Sequence, residues 1–99
     1  MKLYISGKIT DPDPEQVKRN LAIFNEKATE FRKQGYEVFN PGELEQEGKD
    51  WYWYLARDLH WIANNDCELY VMKGWKESCG ASLEVEFAKL YSKKIIFEL

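Results

Sequence analysis

The sequence predicts an α/β domain with a four-stranded parallel sheet in the order 2-1-3-4. Three observations carry that expectation. Four short strand-like runs, Lys2–Ser6, Tyr36–Phe39, Cys67–Met72 and Lys94–Leu99, alternate with three segments of helical periodicity. Strands that alternate with helices pair in parallel and carry helices on both faces. Right-handed crossovers then leave few topologies, and the Rossmann-like (flavodoxin-like) three-layer sandwich is the one expected. Ninety-nine residues suit a single domain spanning 1–99.

The first strand ends at Gly7. Asp11-Pro12-Asp13-Pro14 then turns the chain into a helix, with Asp13 as N-cap, Pro14 at the first helical position and Gln16 completing a capping box. Val17, Leu21, Phe24, Ala28 and Phe31 follow helical spacing. Gly35 ends that helix. Asn40-Pro41-Gly42 stops the second strand, and the polar stretch from Glu43 to Lys49 reads as a loop. The second helix runs from near Asp50 to about Asn64, with Leu55, Leu59 and Ile62 on its core face. Lys73 to Cys79 is a loop. The third helix runs from about Gly80 to Tyr91, with Leu83, Phe87 and Leu90 expected to point inward.

Composition narrows the function classes. The formal net charge is −3, and binders of a nucleic-acid backbone usually carry a basic patch. A single nucleotide is still within reach of local donors. Two cysteines, Cys67 and Cys79, make no disulfide framework, so a reduced, cytoplasmic setting is expected. No run approaches the roughly 18 apolar residues that read as a membrane span, and Met1 to Gly7 is too short and polar for a signal peptide. Four Trp, six Tyr and five Phe are many for this length. Trp51, Tyr52, Trp53 and Tyr54 circle their helix, so some of those rings must cover a loop, a ligand or a partner.

In a sheet of this kind, ligands bind beyond the carboxyl ends of the strands. The loops Gly7–Asp13, Asn40–Asp50 and Lys73–Cys79 meet there. Ser6, Gly7 and Lys8 are therefore candidate pocket residues, although the turn lacks the Gly-rich dinucleotide and P-loop patterns. Ser78-Cys79-Gly80-Ala81-Ser82-Leu83-Glu84 is a small-residue loop entering a helix. Its free N–H groups and the Ser78 hydroxyl suit an anion. Glu84 shares a stripe with Ala81, Ala88 and Tyr91. Glu86 lies about 200° around the helix and faces solvent. Glu84 is thus either an ordinary first-turn glutamate favoured by the helix dipole or a catalytic carboxylate. Asp58 shares a stripe with Trp51, Tyr54 and Trp61. A carboxylate among aromatic rings is desolvated, which raises its pKa and suits a general acid; the alternative is a surface carboxylate in an i,i+4 pair, although Tyr54 and Ile62 occupy those two positions. Arg57, adjacent in sequence, is expected to point elsewhere. Cys79 lies near a helix start, but the one histidine, His60, is on the side of its helix away from Asp58, so a Cys–His pair is weakly supported. One His and two distant Cys give no metal-ligand spacing.

Four segments resemble a known family. They are Tyr-Ile-Ser-Gly-Lys-Ile-Thr at residues 4–10, Gly-Tyr-Glu-Val-Phe-Asn-Pro at 35–41, Asp-Leu-His-Trp-Ile-Ala-Asn-Asn-Asp at 58–66, and Ser-Cys-Gly-Ala-Ser-Leu-Glu-Val-Glu-Phe-Ala at 78–88. In order and character they resemble the nucleoside 2-deoxyribosyltransferase-like superfamily, including its deoxyribonucleoside 5′-monophosphate N-glycosidase branch, and are similar to a short bacterial and phage branch of it. The resemblance implies that Glu84 is the nucleophile, with Gly80 four before it and Ala88 four after. It implies that Asp58 is the second acid, that Ser78 binds a phosphate, and that Tyr4 lies near the sugar. Asn40 and Gly80 join the candidate substrate contacts. Lys8 stands where the short branch commonly has Pro, and Leu83 where a small residue is common. The chain ends after the fourth strand, where larger relatives continue.

Together these readings predict cleavage or transfer of an N-glycosidic bond of a nucleoside or nucleotide through a glycosyl-enzyme on Glu84, with no metal or organic cofactor. The resemblance also implies a homodimer whose partner completes the pocket near Asp58. Two alternatives stay open: a nucleotide-binding module without turnover, and an interaction protein that uses the Trp-rich helix.

Overall fold

Strand β1 (Lys2–Ser6) is one of the two inner strands of the sheet, paired on both edges and covered on both faces. In the computed structural model, which describes residues 1–44 and 48–99, it pairs in parallel with β2 (Glu37–Phe39) on one side and β3 (Cys67–Val71) on the other. Strand β4 (Ile95–Phe97) continues the sheet beyond β3, giving the order 2-1-3-4. Tyr4 is level with Phe39 and Leu69, and Ser6 with Val71. The ladder runs a little past the last strands, with Met72 N donating to Ser6 O at 2.9 Å and Glu98 N to Val71 O at 2.8 Å.

Helix α1 (Pro14–Lys33) is fastened at both ends by local chemistry. Asp13 accepts from Glu15 N at 3.0 Å. The expected reciprocal arm from Gln16 does not form; its side chain bonds Asn20 and Arg19 along the helix, and Asp11 accepts from Asp13 N at 2.9 Å in its place. An Asx turn so close in sequence needs no long side chain to be ordered. At the other end Gly35 has φ 95°. Its N–H donates to Arg32 O and that of Tyr36 to Phe31 O, a Schellman closure with Phe31 and Tyr36 in edge-to-face contact at 5.6 Å. Tyr36 therefore belongs to the helix stop, and β2 starts one residue later than the apolar pattern suggests.

A short 3-10 turn (Pro41–Glu43) follows β2. The predicted loop from Glu43 to Lys49 falls in part on residues 45–47, outside the described residues. Helix α2 (Trp51–Asn64) is capped by Asp50, which accepts from Trp53 N at 2.8 Å. Helix α3 (Cys79–Leu90) is capped by Ser78 and preceded by a second 3-10 turn (Trp75–Glu77).

The sheet has two unlike faces. Helix α1 covers Leu3, Ile5, Tyr70 and Met72 with Phe24 and Ala28. Helices α2 and α3 cover Tyr4, Leu69 and Val71 with Ile62, Val85 and Ala88. The expected inward face of α3 needs correction. Leu83 and Leu90 are 43% and 81% exposed, whereas Ala81, Glu84, Val85 and Ala88 are buried. Two alanines at this spacing let the helix backbone approach β1 and β3 closely, and the approach brings Glu84 in with them. The leucines sit on the outer flank, with Phe87 half-buried between. On α2, Ile62 is buried as predicted, and Leu55 and Leu59 are half-buried.

Candidate active site

Successive side chains of a strand point to opposite faces. Tyr4 and Ser6 therefore both project from β1 toward α2 and α3, and both are fully buried. They meet Glu84. The Tyr4 hydroxyl donates to Glu84 Oε2 at 2.7 Å, and the Ser6 hydroxyl donates to Oε1 at 2.8 Å. Each carboxyl oxygen thus has its own donor, and the side chain is held from a rigid strand rather than a loop. The Tyr4 ring is itself fixed, stacked on Phe39 at 5.4 Å and tilted against Trp61 at 6.1 Å.

Asp58, 5% exposed, faces this group from α2. Burial pushes the Glu84 carboxyl up to about 8. The nearby Asp58 charge adds to the rise, and the Tyr4 and Ser6 hydrogen bonds oppose it. Burial also raises Asp58, although the Arg57 guanidinium holds that rise back. The Tyr4 hydroxyl is raised well above its ordinary value, first by burial and then by the two carboxylates. Two carboxyl groups that share a buried site resist ionising together, so the site retains a proton near neutral pH.

Arg57 departs from expectation. Its Nε and Nη2 lie 2.9 and 2.8 Å from Asp58 Oδ1. Neighbours on a helix project about 100° apart, but the long Arg stem bends back and its guanidinium settles among the rings of Tyr54, Phe39 and Trp53, at 5.2, 5.6 and 5.9 Å. Nη1 donates to Leu44 O at 3.2 Å and so reaches the 3-10 turn.

A cleft lies above the two carboxyls at the carboxyl edge of the sheet. Asp58 and Glu84 line it. Ser78 and Gly80 supply one rim, Gly7 and Thr10 of the loop after β1 another, and Trp51 and Tyr54 form an aromatic wall. Of the predicted residues, Asp58, Glu84, Gly7, Ser78 and Gly80 come together here. Tyr4 and Ser6 stand behind Glu84 and act through it. Lys8 does not line the cleft; it lies between Asp11 at 3.6 Å and Glu77 at 4.0 Å, tying two loops. Asn40 is buried in the first 3-10 turn, accepting from Gly42 N and donating to Asn25 and Glu43.

The two glycines differ in kind. A Cβ on Gly7 would meet Met72 Cε, the end of a flexible side chain, at 2.8 Å, and Met72 Cβ and Phe24 Cζ at 3.3 Å, so the space there is tight and filled by packing side chains. A Cβ on Gly80 would meet nothing closer than Trp51 Cζ2 at 3.7 Å, so the fold accepts one and the space belongs to the cleft. Ser78 accepts from Ala81 N at 3.1 Å and doubles as cap and rim. Glu86 is exposed and pairs with Lys89, as its helix phase predicts. Cys79 and His60 are exposed and neither lines the cleft. Among the described residues no three His, Cys, Asp or Glu side chains gather as a metal site, and no helix is long and apolar enough to cross a membrane.

Residue reading left Trp51 and Tyr54 out of the contact set, although their positions seven and four before Asp58 on one helix stripe were the available signal. Nothing in the spacing signals Arg57.

Fold and site together define an α/β domain with a buried carboxyl pair at the carboxyl edge of a parallel sheet. The chain belongs to the DUF4406 family, a domain of unknown function that matches residues 1–97. Comparison with curated proteins gives no match.

Proposed function

We propose that the domain cleaves or transfers the N-glycosidic bond of a nucleoside or nucleoside 5′-monophosphate. One observation carries this reading: Glu84 is gripped at both oxygens by Tyr4 and Ser6 and faces Asp58 across the floor of an open cleft. Retaining glycosidases use two carboxyl groups in this way. In the reacting form Glu84 is the anion and Asp58 holds the shared proton. Glu84 attacks the anomeric carbon as the bond to the base breaks, the bonding electrons leave with the base, and Asp58 delivers the proton to it. Water or a second base then displaces Glu84 from the sugar. The α3 start and Ser78 offer donors to a 5′-phosphate, and Trp51 and Tyr54 offer flat surfaces to the base. A second copy of the chain is proposed to complete the pocket. The two free thiols, Cys67 and Cys79, suit a reducing cytoplasm.

One observation favours a second reading, a binding module without turnover. With its pKa near 8, Glu84 is mostly protonated at rest, and a neutral carboxyl is no nucleophile. Incubation with a nucleotide panel and mass spectrometry of both the products and the intact protein separates the two. Free base plus a glycosyl adduct on Glu84 supports the enzyme; thermal stabilisation by nucleotide without either supports the module.

A further inference from the structure

The two carboxyls of the cleft are held by donors of different charge. Glu84 receives two neutral hydroxyls, from Tyr4 and Ser6. Asp58 receives a guanidinium, at 2.9 and 2.8 Å, and both contacts fall on Oδ1. Tyr4 and Glu84 act on the same Asp58 carboxyl from the other side of the cleft floor. A hydrogen bond from an ionised donor stabilises an anion roughly twice as strongly as one from a neutral donor. When one proton is shared between two such groups, the negative charge belongs with the guanidinium.

We infer that Arg57 is a positioning residue that sets the order of protonation in the pair, keeping Asp58 ionised and the proton on Glu84 until substrate is bound. Resting on the glycosidase reading, this adds a regulated first step. The proton passes from Glu84 to the Asp58 carboxylate as positive charge develops at the sugar, which frees the Glu84 oxygen to bond to carbon. From Asp58 the proton goes to the departing base. The Arg57 charge makes protonated Asp58 a stronger acid at that moment, which is where acid strength is useful.

The clamp is built to hold. Arg57 is 17% exposed at its side chain and Asp58 7%. Three rings flank the guanidinium, and Leu44 O accepts its Nη1. Trp53 and Tyr54 thereby gain a role other than lining or docking: they fix the cation that fixes Asp58. Among the described residues, the other groups acting on the pair are the Tyr4 and Ser6 hydroxyls of β1. Lys8, the nearest lysine of the loop after β1, is engaged by Asp11 and Glu77.

The test needs no substrate. Side-chain carboxyl carbons are labelled with ¹³C, and Asp58 and Glu84 are titrated by NMR in the wild type, Arg57→Gln and Arg57→Lys. In the wild type, Glu84 should carry the upper step and Asp58 the lower. Arg57→Gln should move the upper step onto Asp58, with the circular dichroism of the fold retained. Arg57→Lys, which keeps the charge, should retain the wild-type order. An upper step on Asp58 in the wild type overturns the inference without reference to any variant. So does a folded Arg57→Gln protein whose upper step stays on Glu84. Failure of the glycosidase reading looks different: the titrations stand and no nucleotide is turned over.

Discussion

The two faces of the sheet are made from alternate residues of the same strands, yet they serve different ends. Toward α1 strand β1 sends Leu3 and Ile5, and the layer they form with Phe24, Ala28 and Met72 is almost wholly apolar. Toward α2 and α3 it sends Tyr4 and Ser6, and there the layer contains Asp58 and Glu84 at 5% and 6% exposure. Burying a carboxyl group costs several kcal/mol unless it is neutralised or well bonded. The second face meets that cost with hydroxyl donors, a guanidinium and a retained proton. The first face supplies stability by burial alone. Cohesion and the proposed chemistry are therefore separable by face, and substitutions on each should report on one and spare the other.

The sharpest break is at Glu84. Glu84→Gln should reduce turnover by a thousandfold or more, on the order seen when a nucleophile is removed. It should leave the fold intact, since the amide fills the same space and the Tyr4 and Ser6 hydroxyls can rotate to suit it. Glu86→Gln should change neither, because Glu86 is exposed and paired with Lys89. On the opposite face, Leu3→Ala removes a fully buried side chain. It should cost about 2–5 kcal/mol in urea unfolding while leaving kcat per folded molecule unchanged. A large loss of stability in Glu84→Gln, or of kcat in folded Leu3→Ala, would dissolve the distinction between the faces.

Acidity sharpens the same comparison. The Glu84 carboxyl stands near 8 in the folded protein against an ordinary value of 4.5. The folded state then binds the proton more tightly than the unfolded chain does. The stability this contributes is fully present below about pH 4.5 and is lost as pH rises through about 8. Asp58, also raised, acts in the same sense. Glu43 and Glu98, both lowered by their partners, act at more acid pH and in the opposite sense. Unfolding midpoints should therefore fall between pH 6 and pH 9 in the wild type, and the fall should be much smaller in Glu84→Gln. Turnover should decline above about pH 8, where the pair has lost its last proton and Asp58 has none to donate. A flat rate from pH 7 to 10 would remove the shared proton from the mechanism.

Ser78 should show a smaller effect. Its hydroxyl caps α3 through Ala81 N, so Ser78→Ala should lower stability by roughly 0.5–2 kcal/mol. In the proposed site it also faces a phosphate, and the variant should lose about 1–3 kcal/mol of affinity for a nucleoside 5′-monophosphate. The ratio between monophosphate and nucleoside isolates the second effect, because cap loss weakens both ligands alike. Equal affinities in the wild type would take the phosphate away from Ser78.

Much of this was legible in the chain. The strand order followed from alternation and handedness. Both cleft carboxyls were reachable by helix phase, because Glu84 shares its stripe with alanines and Asp58 shares one with aromatic rings. What escaped was set by tertiary packing. Leucines on α3 read as core by hydropathy, but the alanines won the inner face because only small residues permit the approach that brings Glu84 to Tyr4 and Ser6. Arg57 escaped for another reason: a long side chain is directed by the rings it meets, and spacing along a helix carries no record of them. Asn40 and Lys8, expected as ligand contacts, have bonds of their own that tie turns and loops together.

The smallest expected effect concerns the outer flank of α3. Leu90 is 81% exposed and Leu83 43%, and Tyr91 lies beside them with its ring 4.8 Å from Phe87. In an isolated domain Leu90→Ser touches no core residue, so its effect on stability should stay within about 0.5 kcal/mol. A homodimer gives a way to tell whether that exposure is real. If a second copy covers this flank, the same substitution should shift sedimentation toward monomer and lower the unfolding midpoint only at concentrations where the wild type is dimeric. Trp53, 40% exposed and in contact with Arg57, offers the competing surface. Loss of association in Trp53→Ala together with a disturbed Asp58 titration would place the interface at the Trp-rich helix. Loss in Leu90→Ser with the titration intact would place it on α3. A wild type that sediments as a monomer at high micromolar concentration and still turns over nucleotide would show that the cleft is complete within one chain.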